Sequence, residues 1–344
     1  MTRRAPATSQ GTDAERADAP LFWPVRLRRW LGPPGLAGMA LALALLAAIL
    51  ALDHPGGVAG TLATPDLVAL GRALFFALSL GLLIEFAAHI PLSAQRDLDA
   101  LASELTLTVP QQARLRAALI RQEGQQTALY AALGGAAGLV HGWAGLGLTT
   151  LPGAALGTVL LWSLMVQTGA QLVMNAQLFA RLGAEAIRPD PLMPQRLYPL
   201  VRAALRPMLL IMSLLAAYPL TLLATPGWNA DNLVGPAATL ALALASVWFP
   251  LRGLAGGMRQ ARDEALARVN AAIALGWAAL EQDCSSASRV EALLALRDRL
   301  NRAPRLPLAL PGLARALAYL AIPLATWSGK GLGEALLDRL LGGG

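Results

Sequence analysis

Two groups of residues in this chain have the types and the spacing to do chemistry. Glu85 and His89 stand four apart, so a helix carries both on one face. A carboxylate beside an imidazole could relay a proton or supply two metal ligands. Two ligands fall short of a metal site, however. Both residues also lie near one end of an apolar block, where polar side chains can reach the interface, so a structural role stays open. The second group is Ser163, Gln167, Gln171 and Asn175, again spaced by four. In an apolar helix such a stripe must face protein or water. It could line a path for a small solute, or it could hydrogen-bond to neighbouring helices. The absence of a fixed charge along it favours packing.

Gly134, Gly138 and Gly142 form a third pattern, with His141 beside it. Small residues at every fourth position let helix backbones approach closely, which speaks for packing rather than chemistry. No nucleophile with its base is evident. HExxH, CxxC and GxSxG are all missing. Ser328-Gly329-Lys330-Gly331 only mimics a phosphate loop, because Leu324 stands where the loop needs glycine. The three histidines, His54, His89 and His141, are too few for haem or multinuclear metal chemistry. The single cysteine, Cys284, has no histidine nearby in sequence and reads as an ordinary thiol. No catalytic residue, metal or cofactor is expected.

The elements that must position these residues are apolar helices. The chain has 344 residues, of which 56% are hydrophobic and 14% charged. Soluble domains carry about 25% charged residues. A helix needs about 20 residues to cross about 30 Å of hydrocarbon. Six blocks meet that length approximately: Gly35 to Leu52, Leu67 to Ile90, Thr127 to Leu148, Ala154 to Phe179, Met208 to Thr225 and Gly235 to Leu251. Leu306 to Trp327 is apolar enough for a seventh, but Pro311, Arg315 and Pro323 also suit a helix lying on the membrane. The expected fold is therefore all-α: a polytopic membrane helix bundle of six spans, with a seventh candidate, plus amphipathic cytoplasmic helices.

Charge sets the orientation. Residues 1–34 hold six arginines, 91–126 four, 180–207 five and 252–306 nine. The links between blocks one and two, three and four, and five and six hold no arginine or lysine. Positive residues stay on the cytoplasmic side, so the N-terminus is expected inside a bacterial inner membrane. The net charge of +7 comes from these short links, which excludes a nucleic-acid patch. It points to the lipid bilayer as a partner.

Four regions follow. Residues 1–34 form a disordered tail and an interfacial anchor, with Phe22, Trp23 and Trp30 among Arg26, Arg28 and Arg29. The bundle occupies 35–254, with helical cytoplasmic links at 95–106 and from Pro110 to near Gly124. A cytoplasmic hairpin occupies 255–305, built from an amphipathic helix at 256–282 and a second helix opened by Ser288 and Glu291. Residues 306–344 form the seventh span or a membrane-lying segment.

Two stretches resemble a group of uncharacterised multi-pass bacterial inner-membrane proteins. One runs from Arg188-Pro189-Asp190-Pro191-Leu192 through Leu197-Tyr198-Pro199-Leu200 to Arg206-Pro207. The other is Trp248-Phe249-Pro250-Leu251-Arg252-Gly253-Leu254, followed by Ala321-Ile322-Pro323-Leu324-Ala325-Thr326-Trp327. The resemblance implies a membrane bundle and no activity or catalytic residue. The expected role is a scaffold or interaction protein that meets a protein partner through its cytoplasmic helices. The alternative is a transporter or channel lined by the stripe of the fourth span. Self-association into a homo-oligomer fits either reading.

Overall fold

The fold is seen in a computed structural model, which describes residues 19–53, 56–63, 67–145, 152–187, 190, 192–222, 230–280, 287–303, 318, 319 and 321. Cys284, most of the tail expected to be disordered and nearly all of the seventh candidate span lie outside the described residues. The described residues are helical, apart from short links and two isolated antiparallel bridges, Leu21 with Arg121 and Leu105 with Ile187.

A short helix, α1 (Trp23–Leu31), precedes the bundle. It is followed by α2 (Leu36–Asp53), the seven-residue α3 (Gly57–Ala63) and α4 (Leu67–Ala100). A 3-10 turn at Ala102–Glu104 leads to α5 (Val109–Ile120), then to α6 (Gly124–Gly145) and α7 (Pro152–Arg181). A π turn at Leu182–Ala186 and a 3-10 turn at Pro194–Leu197 precede α8 (Tyr198–Ala217). The chain then forms α9 (Ala230–Leu280) and α10 (Ala287–Arg302). Four stretches are long and apolar enough to cross a membrane: Leu36–Asp53, Ala69–Ala100, Pro152–Arg181 and Pro194–Leu220. α6 has the length but not the mean hydropathy. The sixth apolar block lies within α9, where most of its side chains fall outside the description.

The helices run up and down. Asp53 at the end of α2 accepts from the backbone N–H of Gly153 at the start of α7 (2.6 Å). Phe75, early in α4, stacks edge-on against Tyr218, just past α8. These contacts mark one end of the bundle. At the other end the arginine-bearing segments meet: Thr106 donates to the carbonyl of Ala186 (2.8 Å), and Arg196 pairs with Glu104 (3.1 Å). The segregation of arginine along the sequence is thus a segregation in space. Leu43, Leu133, Val140, Trp143, Leu244 and Trp248 lie exposed on the flanks of α2, α6 and α9. An apolar surface of that breadth suits hydrocarbon rather than water.

Glycine decides how closely the helices approach. A Cβ on Gly81 of α4 would sit 2.6 Å from the carbonyl oxygen of Gly38 on α2, and the reverse holds for Gly38. Gly134 and Gly138 of α6 rest on the backbone of α7 at Trp162, Ser163 and Val159. Gly142 is buried on the same helix.

Three expected boundaries differ. The link helix at 95–106 is not separate, because α4 continues through Pro91 to Ala100. Proline removes one backbone hydrogen bond, and here its ring is buried by neighbouring helices. The hairpin helix at 256–282 is likewise the continuation of the sixth block. Gly253, Gly256 and Gly257 do not end it, since an interior glycine costs only about 1 kcal/mol against alanine. Gly253 and Gly257 instead let α9 press on the carbonyls of Ala180 and Gly183, at 3.2 and 2.6 Å from their ideal Cβ positions. Gly124 opens α6 rather than closing α5. The start of α5 is closed by a Thr108–Gln111 capping box.

Gly81→Val should destabilise the fold by about 1–3 kcal/mol, the usual cost of overpacking. Gly169→Ala, inside α7 with nothing within 4 Å of its Cβ position, should stabilise it by up to about 1 kcal/mol. Thermal unfolding in detergent compares the two.

Candidate functional site

The polar residues converge on the arginine end, along two winding stripes. The first is on α4. Glu85 and His89 are followed by Ser93 and Asp97, all four residues apart. Each step of four on an α-helix turns the face by about 40°, so the stripe winds from one neighbour to the next. Its upper part meets α1. Arg28 Nη1 lies 3.4 Å from Glu85 Oε1 and 3.4 Å from His89 Nδ1. The other ring nitrogen of His89 lies 3.1 Å from the Ser93 hydroxyl, which also accepts from Arg96 (3.1 Å).

The lower part of the stripe meets α8. Asp97 is fully buried, at 0% exposure, and two arginines four apart on α8 converge on it. Arg202 donates through Nε to Oδ1 (2.8 Å) and through Nη2 to the same oxygen. Arg206 donates to Oδ2 and, at 3.3 Å, to Oδ1. Both carboxylate oxygens are therefore engaged by charge-assisted hydrogen bonds, the strong kind. The sequence reading stopped at His89 because it ended the second block at Ile90. The signal was present: the interval of four continues to Asp97, and Arg202 and Arg206, also four apart, share one face of α8.

The second stripe is on α7, and it docks three elements. The Ser163 hydroxyl donates to the carbonyl of Ala131 on α6 (3.0 Å). Gln167 accepts from the indole N–H of Trp23 on α1 (2.9 Å) and approaches Ser163 at 3.5 Å. Gln171 donates to the carbonyl of Leu119 in the last turn of α5 (2.9 Å) and approaches Asn175 at 3.4 Å. The last carbonyls of a helix have no partner inside it. α5 therefore obtains two from outside: Gln171 at Leu119, and the N–H of Phe22 at Ile120 (2.9 Å).

Gln167, Gln171 and Asn175 are buried, and Ser163 is partly so. A cavity beside Asn175, lined mainly by Ile90, Leu172, Phe179 and Pro207, holds about 20 Å³ of space for water. That accommodates a water molecule or two, not a solute. The geometry matches interhelical hydrogen bonding more closely than a path. His141 is exposed and rests against the Trp162 ring, away from both stripes. Among the described residues no three His, Cys, Asp or Glu side chains gather as a metal site.

Comparison of the chain with protein-family models, with curated proteins and with solved structures finds no match. Function must therefore be argued from the geometry.

Asp97→Asn should cost about 3 kcal/mol, the low end for breaking a buried pair, because both guanidinium groups keep some solvent contact. Arg196→Ala removes an exposed pair and should cost no more than about 1 kcal/mol. Gln171→Leu should cost about 1–3 kcal/mol by stranding the Leu119 carbonyl, although it makes the helix more apolar. Thermal unfolding of the purified protein measures all three.

Proposed function

We propose that the chain is a bacterial inner-membrane scaffold that presents a cytoplasmic helical hairpin to a protein partner. The carrying observation is α9. It runs for 51 residues without a break, about 76 Å, from the apolar block into an arm beyond the bundle. A bilayer core takes only about 30 Å of that length. α10 folds back along the arm. Val269, Ile273 and Leu300 form the seam, and Arg262 donates to the carbonyl of Asn301 (2.9 Å). The arm also carries exposed apolar side chains, Leu275 at 75% exposure and Trp277 at 56%, on different sides of the helix. Exposed tryptophan on a stiff support is the usual anchor of a protein interface.

In this reading the arginine end is cytoplasmic, by the positive-inside rule, and the N-terminus lies inside. The four apolar helices, with α6 and the apolar part of α9, make six spans. The resemblance to uncharacterised multi-pass bacterial inner-membrane proteins agrees with this reading. The inward hydrogen bonding of the α7 stripe also supports it, since a scaffold needs no open path.

A second reading, a transporter for a small solute, is favoured by one observation: a carboxylate, an imidazole and a guanidinium meet on a spanning helix at Glu85, His89 and Arg28. Ionisable groups on an apolar spanning helix are functional candidates. Under it, Glu85→Gln abolishes flux in proteoliposomes.

The scaffold reading is tested by crosslinking in cells, followed by recovery of the tagged protein from native membranes. The double variant Leu275→Glu, Trp277→Glu should recover about tenfold less of the partner, while inserting and folding as before. A partner recovered equally from both forms, or none from either, would overturn it.

A further inference from the structure

The two carboxylates of the α4 stripe are bound in different ways. Asp97 is engaged on both oxygens by two guanidinium groups. Glu85 meets a single nitrogen, Arg28 Nη1, at 3.4 Å. A charge-assisted hydrogen bond is normally roughly 2.7–2.9 Å long. The same nitrogen is shared with His89 Nδ1, also at 3.4 Å. Glu85 Oε2 is buried and makes no hydrogen bond. A carboxylate only 19% exposed thus has one oxygen loosely paired and one unpaired. Burial makes such incomplete pairing costly. The site demands a cation and receives one that fits poorly.

The element supplying that cation is a short helix outside the long apolar ones. α1 has nine residues. It is held by the buried Phe22 and Val25, by the indole of Trp23, and by two backbone hydrogen bonds, Phe22 to Ile120 and Gln122 to Pro20. Gly32-Pro33-Pro34-Gly35 joins it to α2. Both glycines have positive φ, +82° and +86°, and no other group lies near their Cβ positions. Below the chain leading into α1 lies Gln122, 2% exposed, with neither amide atom hydrogen-bonded. The unsatisfied polar groups Glu85 and Gln122 therefore both sit against this one short segment.

We propose that Glu85 and His89 form a binding site for a small organic cation bearing a guanidinium or ammonium group, and that Arg28 occupies it in the resting protein as a tethered stand-in. The chemistry follows from what the site offers. One carboxylate oxygen is unpaired, His89 Nδ1 can accept, and Ser93 fixes the ring from its far side (3.1 Å). A guanidinium or ammonium group needs only a carboxylate and a neighbouring acceptor. A metal ion would need a third ligand, which the described residues do not bring. When a cation takes the site, Arg28 is displaced and α1 swings out on its glycine hinge. The inference goes beyond the scaffold reading and does not rest on it.

The test uses the full chain in nanodiscs, with Cys284 replaced by Ser and the bridge-forming pair Leu21 and Arg121 replaced by Cys. Disulfide formation between them reports α1 in its seated position. The probe is ethylguanidinium chloride, with potassium chloride at equal ionic strength as the control. Ethylguanidinium should slow disulfide formation severalfold, potassium should not, and Glu85→Gln should abolish the difference. Separately, Arg28→Ala should bind ethylguanidinium about tenfold more tightly than the Arg28 form, as expected when a competing charge is removed. Disulfide formation that responds no differently to ethylguanidinium than to potassium would overturn the proposal, even if Arg28→Ala fails to fold. So would equal binding by Arg28→Ala with and without Glu85→Gln.

Discussion

Asp97 is a carboxylate withdrawn wholly from solvent, on a helix whose upper turns are apolar enough to cross a membrane. Such a charge persists only where its partners are complete. Arg202 and Arg206 complete it, and in doing so they hold α8 against α4 at the arginine end. Much of that end depends on this bond. With α4 carried past Pro91 to reach Asp97, the 3-10 turn after it brings Glu104 to Arg196 and Thr106 to the Ala186 carbonyl. A cluster of buried apolar side chains, from Leu98 and Leu101 to Leu200 and Val201, closes around the same junction.

Both polar stripes show one device. An interval of four on a helix of 3.6 residues per turn winds slowly around the axis. A stripe of four such residues therefore faces more than one neighbour. On α4 it passes from α1 at Glu85 and His89 to α8 at Asp97. On α7 it passes from α6 through α1 to α5. In an apolar bundle, where burial of hydrocarbon does not distinguish one helix packing from another, hydrogen bonds and small residues choose the partner. The stripes choose partners at the arginine end, and the contacts of Gly38 with Gly81 and of Gly134 and Gly138 with α7 choose them deeper in the bundle.

The same comparison separates structure from function. Asp97 is engaged on both oxygens, and Ser163, Gln167 and Gln171 each bond to another element; such bonds hold helices together. Glu85 is not so engaged, and its single loose partner comes from a short helix on a glycine-flanked link. The α9–α10 arm is different again: its apolar groups meet along the seam, while Leu275 and Trp277 stay exposed.

Composition and pattern alone determined the helical class, the apolar blocks and the gathering of arginine at one end. Each follows from a one-dimensional property: block length against rise per residue, and charge against position. The polar stripe on α7 was equally readable, because its interval of four is visible in the chain. What it bonds to was not. The carbonyls of Ala131 and Leu119 and the indole of Trp23 come from distant elements, 32, 52 and 144 residues away. The extent of α4 and α9 differs from the expected blocks, which end at Ile90 and Leu251 where the apolar run ends, whereas both helices continue, with Pro91 buried and Gly253 and Gly257 used for close contact. Tertiary packing alone decided that Asp97 would be sealed by two arginines and that Glu85 would be left with half a partner, because pairing across helices depends on which faces the bundle turns together.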